Sequence, residues 1–466
     1  MTAGTLSEPE LRGAKRLAHT PLRPDGDAEC PNVRITDLPL FLGRKVELRG
    51  WLVASRQARS MQFLQIRDRT GEVQVARRID HESCASPSIE PESAIRVIGR
   101  VCEPRIAKFG KIEINADSIS TLAPAIEKQA NYDRDSFDPL RHRFLALRQR
   151  SQALIIEVQT TLLSSIRSFL LSHHFLEVHT PKITASGSES GSAVFELPYF
   201  GERAFLIQSP QFYMQMAMAG GLERVFEVGP AFRAEGAVTN RHATEFTSID
   251  VEWSWVASHQ EVMDLQEEML CFALRDIDRL HGADIKTHFG VSVEIPADKI
   301  LRLDYRAALE LLNRSGLAID RRLTHQSEQM LCRYAKEKTG CSFVYIENFP
   351  ATDRPFYTMR SQDSEIPLGQ AVTRSFDLFW RGAEISSGCQ REHDHERLKR
   401  QMASDGFSPE IIQQYLEPYF LEMFLYGCPP HGGFGIGLDR FLMILFGCSS
   451  IEETSFVHRS SNRFVP

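Results

Sequence analysis

Apolar residues at Leu154, Ile155, Val158, Leu162, Ile166 and Leu170 recur at steps of three and four, the spacing that gives a helix one apolar face. They predict a helix over residues 149–174. A strand from Phe175 to His179 follows, and Pro181 stops it. Upstream the rhythm shortens to alternation in KVELRGWLVAS, QFLQIRDRTGEVQVARR, AIRVIGRVCEP and KIEINADSIS, with a turn at Thr70-Gly71. Four or five short strands there predict a small β-barrel over residues 31–122. Downstream, strand-like runs (AFLIQS, RVFEVGPAFRAE, FTSIDVEWSW, CSFVYIENFP, RSFDLFWRGAEISSG, GGFGIGL) alternate irregularly with helical patterns near 258–281, 303–313, 326–338 and 395–425. This predicts an α+β domain over 149–466, built on an antiparallel sheet flanked by helices. Residues 1–30 read as a flexible polar tail and 123–148 as a linker.

Charge sharpens this division. The chain carries a net charge of −7 over 466 residues, which argues against a surface coated for polyanions. Residues 33–78 nevertheless hold ten Lys or Arg against four Asp or Glu. A basic barrel with exposed aromatics is of the oligonucleotide-binding (OB) kind. No apolar run approaches the roughly 20 residues of a membrane span, and the first residues lack an apolar signal core, so a cytoplasmic protein is expected. Nine cysteines are scattered without a CxxC pair, which favours free thiols over a zinc site.

Two stretches carry the chemistry. Residues 228–250, VGPAFRAEGAVTNRHATEFTSID, place Arg233, Glu235, Arg241, His242 and Phe246 within one predicted hairpin. Residues 431–440, HGGFGIGLDR, read as a glycine-rich strand entering a helix that carries Arg440. Two arginines with an aromatic and a carboxylate between them suit a nucleoside triphosphate: guanidinium for phosphate, a ring face for the base, a carboxylate for a base or amine hydrogen. Asp377 and Glu384, in FDLFWRGAE, would reach one side of a hairpin if the chain turns at Arg381-Gly382. Two carboxylates beside phosphate suit a hard divalent cation.

FRAE followed by TNRHATEF resembles motif 2 of the class II aminoacyl-tRNA synthetases. GIGLDR followed by FLMILFG resembles motif 3, and the run ending FLEVHTP resembles motif 1. The resemblance spans residues 33–466 and is closest to aspartyl-tRNA synthetases of the archaeal and eukaryotic type, with asparaginyl enzymes next. It implies ATP-dependent formation of an aminoacyl adenylate, transfer to tRNA, and a homodimer through the motif 1 helix and Pro181. It implies that Arg233 holds the α-phosphate and Arg440 the γ-phosphate. Phe246 would stack on adenine, Glu235 would read the base edge, and Arg241 and His242 would meet the outer phosphates. Asp377 and Glu384 would bind Mg²⁺. It further implies an amino-acid subsite of Glu189, Gln208, Ser209, Gln211, Asp250, Ser387 and Arg391, with Met214 beside them. In the barrel, Phe63 and Gln74 match anticodon readers.

Three departures bear on the substrate. Aspartyl enzymes carry lysine at the position of Met214, and methionine can neither donate a hydrogen bond nor carry charge. Cys389 stands for a glycine of the usual SSGGQRE, and Val457-His458-Arg459 for Phe-Pro-Arg. The expected amino acid is therefore aspartate, asparagine or a neutral analogue. The alternatives are a relative that adenylates another amino acid or serves a non-tRNA acceptor in small-molecule biosynthesis, and a catalytically dead binding protein.

Overall fold

The computed structural model describes residues 30–79, 89–104, 110–126, 138–185, 194–234, 236, 239–317, 322–361, 370–409, 412–413, 417 and 420–464. Glu189, Glu235 and nearly all of the expected tail lie outside them. Contacts divide the chain into two compact units that meet in sequence between Ala153 and Leu154.

The first unit is a closed five-stranded barrel of β1 (Lys45–Ala58), β2 (Met61–Asp68), β3 (Gly71–Arg78), β4 (Ala94–Cys102) and β5 (Glu113–Ala123). Strand order is β1-β2-β3-β5-β4, and β4 pairs back onto β1 to close the ring. A barrel core needs one inward face per strand, and the alternation supplies it: Val46 and Leu48, Leu64 and Ile66, Val73 and Val75, Ile95 and Val97 are all buried together. Phe63 alternates with Leu64 and lies outside that cluster, on the outer face with Gln65.

The second unit is an eight-stranded sheet with helices against it. Its elements begin with α1 (Arg150–Ser172), β6 (Leu176–Glu177), α2 (Gln211–Ala219), β7 (Arg224–Phe232), β8 (Glu245–Ser254) and α3 (His259–Phe289). They continue with β9 (Leu301–Asp304), α4 (Tyr305–Arg314), α5 (His325–Thr339), β10 (Phe343–Glu347), β11 (Ser375–Trp380), β12 (Ala383–Gln390), α6 (His395–Ser404), β13 (His431–Gly437) and α7 (Leu438–Phe446). Strand order is β9-β10-β11-β12-β13-β8-β7-β6, antiparallel except at the two edge pairs. All six periodic residues of α1 are in the core with Phe226, Ile249, Val251, Phe434 and Ile436 from one face of the sheet. Full burial of each such side chain contributes roughly 1.5–3 kcal/mol. By length and composition α1 could cross a membrane, contrary to the expectation that no run is apolar enough, but its apolar face is spent on this core.

Two helix expectations need correction. α3 runs to Phe289, past the His281-Gly282 step read as its end, and stops at Gly290, whose φ of 72° is the left-handed C-cap. Half-buried His281 is held by Thr161 Oγ1, 2.8 Å from its Nε2. The helix expected over 395–425 ends at Ser404, because Gly406 turns left-handed at φ 90° and Pro409 follows. Among the described residues helical conformation returns briefly at Ile412 and Gln413 and then as a turn over Leu421–Tyr426.

Candidate active site

The face of the sheet opposite α1 and α3 is polar, and alternation explains it. Along β8, Ile249, Val251 and Trp253 enter the core, so Phe246, Ser248, Asp250 and Glu252 point the other way. Opposite them on β13 stand Gly437, Gly435 and Gly433, paired with Ser248, Asp250 and Glu252. These glycines leave the floor open. A methyl group on Gly435 would sit 2.9 Å from Asp250 Oδ1, and one on Gly433 would strike the Val251 carbonyl. The result is a cleft of about 270 Å³ lined by residues of α2, β8, β11, β12, β13 and α7.

At one end lie the groups expected to meet ATP. The Arg233 guanidinium sits over the Phe246 ring, 5.3 Å from its centroid, and the Arg233 amide donates to Thr244 O at 3.0 Å. Arg440, on the first turn of α7, donates to Glu384 O at 3.2 Å and Arg241 O at 3.3 Å, and lies 4.0 Å from the Glu384 carboxylate. Arg241 is anchored to Glu328 of α5 at 2.8 Å, and His242 is tied to Thr239. Arg233, Arg241, His242, Phe246, Glu384 and Arg440 all line the cleft.

The expected hairpin between Asp377 and Glu384 forms. Arg381 and Gly382 both take positive φ, 49° and 85°, as a two-residue β-turn with right-handed strand twist demands. Pairing of Phe379 with Glu384 puts Glu384 on the same face as Asp377, and a bulge at Ile385 then brings Ser387 opposite Asp377. Burial, with Asp377 nearby, raises the Glu384 carboxyl to about 7. Asp377 is not itself part of the cleft wall. Arg354 grips it with a two-pronged contact at 2.8 and 2.7 Å, donates to Ser387 Oγ at 3.0 Å, and stacks on Phe349. A carboxylate offers about four acceptor sites and this fork uses one on each oxygen. The pair therefore still fits a divalent cation that is bound mainly through phosphate oxygens. Among the described residues no group of three His, Cys, Asp or Glu is arranged as a protein-built metal cage.

The other end holds Gln208, Ser209, Gln211, Asp250, Ser387 and Arg391 along the cleft wall. Burial raises Asp250 to about 6, against the Ser248 hydrogen bond that lowers it. Arg391 is not an open cation. Its Nε and Nη2 donate to Glu252 at 3.1 and 3.0 Å, Nη1 donates to Cys389 Sγ at 2.7 Å, and its guanidinium faces Tyr357. Gln211 also donates to Glu252, at 3.2 Å. Behind them His431 is completely buried, its Nδ1 2.8 Å from Pro429 O and its Nε2 2.9 Å from Gln215. Burial lowers its imidazole to about 4. Neutral His431 then donates from Nδ1 and accepts at Nε2, which suits both partners.

Met214 does not join this wall. One helical turn places its side chain with Met218, Val225, Val178 and Ala217 in a small apolar cluster, while Gln211 of the same helix faces the cleft. Glu252, Arg354 and Tyr357 were missed from sequence. Glu252 had a signal, since it lies two residues beyond Asp250 on the same strand face. Arg354 had none, because its partner Asp377 is 23 residues away across a loop. In the barrel unit, Arg56 covers Phe63 at 4.9 Å, and the Gln74 carboxamide is held by Glu113 and approached by Arg56.

Comparison with known proteins agrees with this geometry. Residues 138–459 match the family of class II tRNA synthetases (D, K and N), and residues 46–122 match the OB-fold nucleic acid binding domain. The chain belongs to the class II aminoacyl-tRNA synthetases of this group, as an adenylating ligase with an OB-fold barrel ahead of its catalytic domain. The aspartate–tRNA(Asp) ligase of Thermoplasma acidophilum is 37% identical, over 91% of this chain and 97% of that protein. The aspartate–tRNA(Asp/Asn) ligase of Thermus thermophilus is 36% identical, over 93% of this chain and 100% of that protein. Among solved structures, asparaginyl-tRNA synthetase from Pyrococcus horikoshii, complexed with asparaginyl-adenylate, superposes with a TM-score of 0.82 at 26% identity, covering 93% of this chain and 99% of that one. Aspartyl tRNA synthetase from Entamoeba histolytica superposes at 0.80 with 29% identity, covering 94% of each chain.

Proposed function

We propose that this protein uses ATP to activate aspartate or a closely related small polar amino acid, and passes the acyl group to tRNA. The carrying observation is that Arg233 over Phe246, Arg440 and Glu384 line one glycine-floored cleft together with the Arg391 subsite. The substrate carboxylate attacks the α-phosphate and pyrophosphate departs. Arg233 meets the charge that builds on the phosphoryl oxygens, and Arg440 holds the departing end. Most of the rate then comes from positioning and electrostatics, with no protein general base required. Asp377 and Glu384 would hold Mg²⁺, which supplies charge neutralisation of the phosphates when bound. Asp250 and Glu189 would receive the substrate ammonium, and Gln208, Ser209, Gln211 and Ser387 would frame the rest of the substrate. Glu235, Arg241 and His242 complete the nucleotide contacts.

We assign Phe63 and Gln74 to anticodon contact, where a half-buried ring on the outer face of the barrel can stack on an unpaired base once Arg56 moves aside. We also propose a homodimer. Leu171 and Phe272 are exposed beside the buried stripe of α1, and Leu176 is exposed just after it. The neutralised Arg391 favours a second reading, in which the same chemistry serves another amino acid or a non-tRNA acceptor. The experiment that tests both is ATP–pyrophosphate exchange with an amino-acid panel, followed by charging of total tRNA. Exchange with tRNA charging supports the first reading, and exchange without charging supports the second. Sedimentation at micromolar concentration tests the dimer.

A further inference from the structure

Arg391 is the cation expected to meet the substrate side chain, and Arg354, the other arginine on this stretch of wall, is held by Asp377. All three nitrogens of Arg391 are nevertheless engaged from within the protein. Glu252 takes Nε and Nη2, and Cys389 takes Nη1. The pair with Glu252 is buried on both sides, with side-chain exposures of 7% and 2%. Little water is present to screen it, and the guanidinium charge is matched by a carboxylate 3.0 Å away. Cys389 follows from the strand register. It shares the cleft face of β12 with Ser387, its neighbour across the strands is Gly433, which has no side chain, and Arg391 follows one residue beyond the strand. Its sulfur therefore reaches into the space above the glycine floor. There it meets Arg391 and Thr358 Oγ1, 3.7 Å away, and it forms part of the cleft wall.

We propose that Cys389, with Glu252 behind it, sets the amino-acid specificity by making this end of the subsite accept an uncharged hydrogen-bonding side chain at least as readily as a carboxylate. This rests on the amino-acid-activating reading given above. A substrate carboxylate arriving here meets a guanidinium already paired with Glu252 and capped on Nη1 by sulfur, and it faces repulsion from Glu252. A carboxamide suits the same groups. Its oxygen accepts from the arginine edge, and its NH₂ donates to the Glu252 carboxylate, which is acceptor-only when ionised. Met214, packed in its apolar cluster, adds no charge to this balance.

The test is the ratio of kcat/KM values for aspartate and asparagine in ATP–pyrophosphate exchange, measured for the full chain and for Cys389→Gly and Cys389→Ser. Glycine frees Nη1 and opens the space above Gly433, so the ratio should move toward aspartate by at least about 10-fold, the scale of one regained charged hydrogen bond. Serine keeps an acceptor beside Nη1 and should stay within a few-fold of the natural protein. A natural protein that prefers aspartate by several thousand-fold, or a Cys389→Gly ratio unchanged from it, overturns the proposal. Absence of exchange with every amino acid would instead overturn the activation reading. Calorimetric titration of the natural protein with aspartate and asparagine then decides the specificity proposal without chemistry: equal or tighter asparagine binding supports it, and tighter aspartate binding overturns it.

Discussion

His431 opens the glycine strand under the substrate subsite, and its burial predicts how the catalytic unit responds to acid. The imidazole is 0% exposed, and burial holds it at about 4 in the folded protein, against 6.5 as its ordinary value. A group with a depressed folded value binds its proton more readily in the unfolded chain. Unfolding then takes up a proton as pH falls below 6.5, and stability is lost progressively until pH reaches about 4. A tenfold difference in proton affinity between the two states corresponds to about 1.4 kcal/mol, so lowering pH from about 7.5 to about 4.5 should remove roughly 2–3 kcal/mol through this residue. The loss is large beside a typical net stability of about 5–15 kcal/mol. His431→Asn offers one donor and one acceptor without a titrating ring. Urea unfolding of both proteins across this pH range, followed by tryptophan fluorescence, isolates the effect because other titrating groups cancel in the difference. Three of the four tryptophans, Trp253, Trp255 and Trp380, lie in the catalytic unit. The natural protein should lose roughly 2–3 kcal/mol more than the variant. Equal losses in the two proteins would refute the assignment of a neutral, buried His431.

Further outcomes follow from the same geometry. Arg440→Ala should lower pyrophosphate exchange by at least about 100-fold, the scale of losing one preorganised donor, while circular dichroism stays unchanged. Glu384→Gln should raise the Mg²⁺ concentration needed for half-maximal exchange by about 10-fold or more, which a Mg²⁺ titration reads directly. Phe63→Ala should weaken tRNA charging by about 1–3 kcal/mol of lost base stacking and leave pyrophosphate exchange untouched. Charging by the natural protein should also fall steeply as salt rises, because phosphate contacts release counterions.

What the sequence disclosed depended on how local the signal was. The α1 stripe was legible because a period of three and four leaves no other face for Leu154, Val158 and Leu162. The carboxylate hairpin was legible because Arg381-Gly382 is a two-residue turn and fixes the faces of both strands. The bulge at Ile385 was not, although it decides that Ser387 and not Ser386 faces Asp377. The Arg354–Asp377 and Arg391–Glu252 pairs were hidden because each joins strands or loops brought together only by the sheet. Met214 shows the limit of matching by position: the motif placed it in the pocket, and the helical phase of α2 turned its side chain to Met218 and Val225.

Whether this cleft adenylates an amino acid is decided by ATP–pyrophosphate exchange over a panel of amino acids. The full-length protein should exchange with aspartate or a neutral small polar analogue, and Arg233→Ala should abolish that exchange without unfolding the chain. Exchange that persists at near-normal rate in Arg233→Ala would remove Arg233 from the chemistry, and a natural protein inert toward every amino acid in the panel would rule out adenylation altogether.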